Sequence, residues 1–152
     1  MSVNFSQCKI YKISCKDESI TDCYVGSTTN LDRRRWEHSN YTNNYSRPEH
    51  KFPVYKFIRE HGNWDNWEVI ILEEFKNCKS SIEKRQRERF WIEKLKSKLN
   101  VRIPSRTRKE WKRDNHERCL EYGRKHREKK RKEKLKKEEI KNLFGNNFIE
   151  IN

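Results

Sequence analysis

The apolar residues of this chain are concentrated before Pro104, and that uneven distribution constrains the fold more than any other feature. Hydrophobic residues make up 32% of the 152 positions and charged residues 39%, too polar a mixture for the whole chain to share one core. The expected organisation is a compact domain over residues 1–104 and a polar extension over 105–152. Residues 105–141 hold 17 Lys and Arg against 8 Asp and Glu, with one glycine and no proline. That composition predicts a basic tail, helical or partly disordered, rather than a flexible linker.

The formal net charge of +14 calls for a polyanionic partner. Nucleic acid, with its dense line of phosphates, is the first candidate and an anionic membrane the rival. No apolar run approaches the length of a membrane span, and no signal peptide is visible at the N-terminus, which predicts a soluble, intracellular protein in nucleus or cytoplasm. The five cysteines, Cys8, Cys15, Cys23, Cys78 and Cys119, are odd in number and contain no C-x-x-C pair. They read as reduced, half-buried residues rather than a disulfide framework or zinc finger. The five histidines show no H-x-x-x-H spacing.

Gln7 to Ser14 alternates and reads as a strand; Lys16 to Ser19 make a turn, and Thr21 to Ser27 read as its hairpin partner. Gly26 is expected at the end of that second strand, for a sharp turn or a close backbone approach. Thr29 or Asn30 caps a following helix, with Leu31, Arg35 and His38 on one face and Arg34 four residues before His38. A polar loop from Thr42 to His50 leads to a second helix over Phe52–Glu60, which Gly62 ends in a left-handed cap. Trp67 to Phe75 is the most apolar segment and is expected to be a strand covered on both faces. Ser80 and Glu83 have the capping-box spacing and open a third helix, with Ile82, Phe90, Ile92, Leu95 and Leu99 as apolar positions. Trp36, Phe90 and Trp91 are read mainly as core. The fold class is α+β: a small, mostly antiparallel three-stranded sheet flanked by helices in the order β-β-α-α-β-α, with a C-terminal basic helical extension.

The tail contains a repeat. KEWKRDNHE, Lys109 to Glu117, aligns with LEYGRKHRE, Leu120 to Glu128, at a shift of eleven. Trp111 then matches Tyr122 and Arg113 matches Arg124, so a continuous helix would carry the aromatics on one stripe.

KIY at Lys9–Tyr11, followed by YVG at Tyr24–Gly26, resembles the signature of the GIY-YIG nuclease family. Arg34 follows eight residues after Gly26, His38 lies on the same helix, ERFWI at Glu88–Ile92 resembles the family's late helix, and KLN at Lys98–Asn100 resembles its asparagine motif. The resemblance spans about residues 8–104, and its one visible departure is Lys9 at the first glycine position. Taken singly, Tyr11 and Tyr24 read as packing residues, Arg34 as a surface arginine and Glu88 as a helix carboxylate beside Lys84. Their occurrence together, in family order, carries the comparison.

The resemblance implies phosphodiester hydrolysis with one divalent metal, Mg²⁺ by preference, held by Glu88. Arg34 would supply a guanidinium to the scissile phosphate. Tyr11 would position or activate the attacking water beside Tyr24, helped by cationic neighbours Lys9, Arg34 and His38, with His38 itself the alternative base. Asn100 completes the implied set. Lys9, Arg33, Arg35, Trp111, Arg113, Tyr122 and Arg124 are candidate DNA contacts. The implied function is a DNA endonuclease, similar to stand-alone homing-like nucleases of phages and large DNA viruses, with no obligate protein partner visible. A structure-specific repair or recombination nuclease and a non-catalytic nucleic-acid-binding protein on the same fold are the alternatives.

Overall fold

The computed structural model describes residues 4–145, which fall into two units that divide between Ser105 and Arg106. In the first, β1 (Lys9–Cys15) and β2 (Cys23–Thr28) form the expected hairpin, in register from Lys9 opposite Thr28 to Ser14 opposite Cys23. Helix α1 (Leu31–Asn43) starts where the Asn30 side chain accepts a hydrogen bond from the Arg33 N–H. α2 (Pro53–Glu60) follows, with Pro53 in its first turn, where a missing N–H costs nothing. Beyond it Gly62 adopts φ +90°, as the left-handed position requires. β3 (Trp67–Glu74) then pairs antiparallel with β1, placing the strands in the order β2-β1-β3.

This order corrects the reading of β3 as a strand covered on both faces. β1 takes the central place and buries Ile10, Tyr11 and Ile13 completely. β3 lies at an edge and leaves Ile71 42% exposed despite its apolar run. Its outward glutamates, Glu68 and Glu74, place charge on that edge. The opposite edge is covered. After α3 (Ser81–Lys94), residues 97–100 turn back along β2, with the Leu99 N–H donating to the Cys23 carbonyl.

Two clusters make the core. Tyr11, Ile13, Val54, Tyr55, Ile58 and Trp67 pack α2 against one face of the sheet. Cys8, Ile10, Val25, Cys78 and Ile92 pack α3 against the other. Ile92 is the one α3 residue that is fully buried, and Ile82 and Phe90 face outward. Trp36 is 62% exposed, so it is not core; Trp91 is held at the α3–β3 junction by donating from its indole N–H to Glu73.

In the second unit, α4 (Arg108–Asp114) begins with a full capping box between Thr107 and Glu110. α5 runs from His116 to Gly145. Asn115 interrupts the helical run: its side chain and its own N–H both donate to the Trp111 carbonyl, and its backbone sits at φ −118°, ψ 33°. Trp111 and Tyr122 therefore lie on different helices, and the continuous aromatic stripe expected from the eleven-residue repeat does not form.

Candidate active site

Tyr11 points from the central strand across Gly26, its direct partner on β2. Gly26 lies two residues inside β2 rather than at its end, and a Cβ there would sit 2.6 Å from Tyr11 Cζ and closer still to its oxygen. The glycine is required because the phenol occupies that space. The Tyr11 hydroxyl then meets His38 Nε2 at 2.8 Å, and His38 Nδ1 meets the Tyr55 hydroxyl at 2.9 Å. A neutral imidazole has one N–H, so His38 donates to one of these tyrosines and accepts from the other. Trp64 stacks on the His38 ring at 6.1 Å and Tyr24 meets it edge-on at 5.6 Å. Both Tyr11 and His38 are wholly buried. Burial, reinforced by the charge of Arg34, drives the His38 pKa down to about 3, so the ring is neutral at physiological pH. Burial raises the Tyr11 pKa, and the Arg34 hydrogen bond pulls against that rise.

Arg34 reaches the same phenol from α1. Its Nε–H donates to the Tyr11 oxygen at 3.0 Å, and Nη1 donates to Glu37 at 2.9 Å. Leu31, Arg34, His38 and Thr42 turn toward the sheet, one helical turn apart, whereas Arg35 faces solvent instead of sharing the His38 face. Burial works against the Arg34 charge, but the Tyr11 oxygen and the Glu37 carboxylate outweigh it and raise the guanidinium pKa. Glu37 is itself lowered: burial opposes the shift, and hydrogen bonds from Arg34 and Arg33 override it. Tyr24, half-buried beside Arg34, is raised by burial with Arg34 pulling the other way.

Glu88 approaches from α3. Immediately before it, Arg87 Nε donates to both oxygens of Glu73 at 2.9 and 2.8 Å, and with Trp91 it ties the helix to β3. Glu88 accepts a hydrogen bond from the Ser27 hydroxyl, the residue after Gly26. Burial raises the Glu88 pKa, while Ser27 and the charges of Lys84, Arg34 and Arg85 pull it down without cancelling that rise. A half-buried carboxylate with one oxygen held by Ser27 suits a cation as its missing counter-charge. Among the described residues no group of three His, Cys, Asp or Glu converges.

Asn100 has a different place. Its Oδ1 accepts from the Val25 N–H and its Nδ2 donates to the Val25 carbonyl, both at 2.8 Å, while Ser97 bonds to Oδ1 and to the Cys23 carbonyl. The amide acts as one residue of an extra strand on the outer edge of β2 and holds the backbone beside Tyr24.

The other sequence candidates lie outside this cluster. Lys9 pairs with Glu74 at 3.8 Å, Arg33 bonds to Glu37, and Arg35 is exposed on α1. In the second unit, Trp111 and Arg113 are on α4, and Tyr122 and Arg124 are on α5. Tyr55, Glu37 and Ser27 belong to the site and escaped the sequence reading. Ser27 adjoins the YVG string and Glu37 precedes His38, so adjacency alone pointed to them. Tyr55 lies 17 residues from its partner His38, and nothing in the spacing marks it.

Comparison with protein-family models gives a match to the GIY-YIG catalytic domain over residues 7–100, which covers both tyrosine strings, Arg34, His38, Glu88 and Asn100. Comparisons with curated proteins and with solved structures give no match. With more than half its length in that match, the chain belongs to the GIY-YIG family and carries a nuclease domain.

Proposed function

We propose that the protein is a metal-dependent DNA endonuclease that hydrolyses phosphodiester bonds. The observation that carries the reading is the convergence of Tyr11, Tyr24, Arg34, His38 and Glu88 from β1, β2, α1 and α3 around one phenol–guanidinium contact. Glu88 would hold Mg²⁺, whose remaining ligands are water and substrate oxygens, and the ion supplies charge stabilisation to the leaving oxygen. The guanidinium N–H groups of Arg34 not used by Tyr11 and Glu37 suit the scissile phosphate. His38 is neutral and wholly buried, so it acts through Tyr11 rather than on the substrate. Tyr24, half-buried beside Arg34, is the tyrosine placed to position the attacking water, while the buried Tyr11 oxygen takes an N–H from Arg34 and fixes that guanidinium. At rest the Tyr11 phenol is protonated because burial raises its pKa, and it exposes no surface, so the half-buried Tyr24 makes the first contact with substrate. Asn100 and Ser27 position β2 and Glu88 respectively.

A catalytic unit joined to a basic helical unit suits a homing-like nuclease acting on duplex DNA. The test is cleavage of plasmid, linear and branched DNA with Mg²⁺ or EDTA, by wild type and by Glu88→Ala. The expected result is Mg²⁺-dependent cutting that Glu88→Ala abolishes, with circular dichroism and DNA affinity nearly unchanged. Loss of the carboxylate removes several kcal/mol (roughly) of barrier stabilisation. Calorimetric titration of Mg²⁺ into DNA-bound protein should show weaker binding for the variant. Near wild-type cutting by Glu88→Ala would refute the assignment, and preference for branched DNA would move the reading to a structure-specific nuclease.

A further inference from the structure

α5 is a continuous helix from His116 to Gly145, and its charges divide by side rather than by position along the chain. At 100° per residue, Arg124, Arg127, Arg131, Lys134 and Lys141 fall on one side, flanked by Lys130 and Lys137, within an arc of roughly 140°. Glu138 is the one acid on that arc, so this side carries seven cations and one anion. The rest of the helix surface is neutral: Arg118, Lys125, Lys129, Lys132 and Lys136 are matched by Glu117, Glu121, Glu128, Glu133 and Glu139.

Ion pairing follows the same division. On the neutral side Lys125 bonds to Glu121 and Lys132 to Glu128, both at 2.7 Å, and Lys129 approaches Glu133 at 3.9 Å. On the basic side only Lys134 is paired, with Glu138 at 3.7 Å, and Arg124, Arg127 and Arg131 form no ion pair among the described residues. A helix built only for solubility gains most from pairing its cations with acids one turn away. Here the acids needed for that are placed on the side that already balances, which leaves three guanidinium groups in a row facing one direction.

We infer that the basic side of α5 is a surface for duplex DNA, lying along the major groove with the neutral side turned to solvent; this rests on the nuclease reading above for the choice of DNA. The geometry fits. A helix with side chains is about 10–12 Å across and the major groove about 12 Å wide. Arg124 to Lys141 spans about 26 Å, less than one duplex turn of about 34 Å, so the cations face phosphates on both flanks of one groove segment. Arginine suits both phosphate oxygens and guanine edges by forked hydrogen bonds. A membrane surface fits less well. Leu120, Tyr122, Leu135, Ile140 and Leu143 are spread around the helix and form no apolar stripe to enter a bilayer.

The test compares two full-length variants in a Glu88→Ala background, which binds without cutting. One carries Arg124→Gln, Arg127→Gln, Arg131→Gln and Lys134→Gln; the other carries Arg118→Gln, Lys125→Gln, Lys129→Gln and Lys132→Gln. Both lose four positive charges, and glutamine is a good helix former. Fluorescence anisotropy with a duplex of about 25 base pairs, between about 50 and 200 mM salt, gives the slope of log affinity against log salt. The first set should lower the slope by about 3–4 and weaken binding at least about 100-fold; the second should change the slope by less than about 1. The single pair Arg127→Gln and Lys129→Gln, too small a change to melt α5, should differ in the same sense, by a slope of about 1 against nearly none. Equal losses in both sets would mean a diffuse cloud of charge with no DNA-facing side, and no loss in either would remove α5 from the interface; both overturn the inference. So would a first set that binds duplex normally but no longer binds phosphatidylserine vesicles. Because binding is read without cutting, a wild-type chain that failed to cleave DNA would refute the nuclease reading and leave this result in place.

Discussion

Replacing Gly26 by alanine adds a single methyl group at the point where the Tyr11 phenol crosses β2. The new Cβ would lie 2.6 Å from Tyr11 Cζ, whereas carbon atoms in ordinary contact stand about 3.5–4.0 Å apart. The phenol tip must therefore retreat by about 1 Å. It has no room to do so without cost, because the ring is wholly buried among Ile13, Tyr55 and their neighbours. A shift of that size stretches the 2.8 Å contact to His38 and the 3.0 Å contact to Arg34 past hydrogen-bonding range. Overpacking costs about 1–3 kcal/mol, and the two buried hydrogen bonds about 1 kcal/mol each. Gly26→Ala should thus destabilise the domain by about 3–5 kcal/mol, a large share of the stability of a small domain. In the fraction that remains folded, a misplacement of about 1 Å should lower single-turnover cleavage by roughly 100-fold. Urea unfolding and cleavage with Mg²⁺ measure the two effects separately. Gly123→Ala is the control: a Cβ there meets Arg127 Nη1 at 3.4 Å, and alanine should favour α5 by up to about 1 kcal/mol. Wild-type stability and cleavage in Gly26→Ala would show that Tyr11 does not need its place across the glycine, and the account of the site would fail.

Arg34→Lys should be nearly as damaging to cleavage as Arg34→Ala, because one ammonium cannot bond to Tyr11 and Glu37 and still fork onto a phosphate; Arg33→Ala and Arg35→Ala, both exposed, should cost less than about tenfold. If lysine restores most of the rate, Arg34 contributes charge alone. Tyr55→Phe removes the partner of His38 Nδ1 and should destabilise the domain by about 1–2 kcal/mol and slow single-turnover cleavage about tenfold without changing DNA affinity. Unchanged cleavage would reduce Tyr55 to a packing residue. His38, with an ordinary pKa of 6.5 and a folded value of about 3, binds a proton more readily in the unfolded chain between those values. Stability conferred by the neutral ring is therefore complete above pH 6.5 and declines as pH falls toward 3, by about 1.4 kcal/mol per pH unit. Denaturant unfolding of wild type and His38→Gln should show their stabilities converging by about 2 kcal/mol between pH 7 and pH 5; a constant difference would mean that His38 is not held neutral.

Local chemistry in the sequence was enough for the element order and most element boundaries. Strand alternation, the Asn30 and Ser80 caps and the Gly62 turn depend on residues within a few positions of one another, and the structure realises each of them. The motif series also placed Tyr11, Tyr24, Arg34, His38 and Glu88 as one set, because family order is a property of the chain. Strand order was not legible. Which of two apolar strands takes the centre depends on what packs above and below, so β3 became an edge despite its Val-Ile-Ile-Leu run and Trp36 stayed exposed. The aromatic repeat in the tail was real as sequence, yet one asparagine side chain competing for the Trp111 carbonyl divided it between two helices. Only the tertiary structure could decide that Gly26 is a contact surface for a phenol, that Asn100 pairs with the backbone of β2, and that Tyr55 completes the chain of hydrogen bonds through His38. Each joins residues 15 to 75 positions apart, and such pairings are set when helices pack on a sheet, where periodicity along the sequence carries no information.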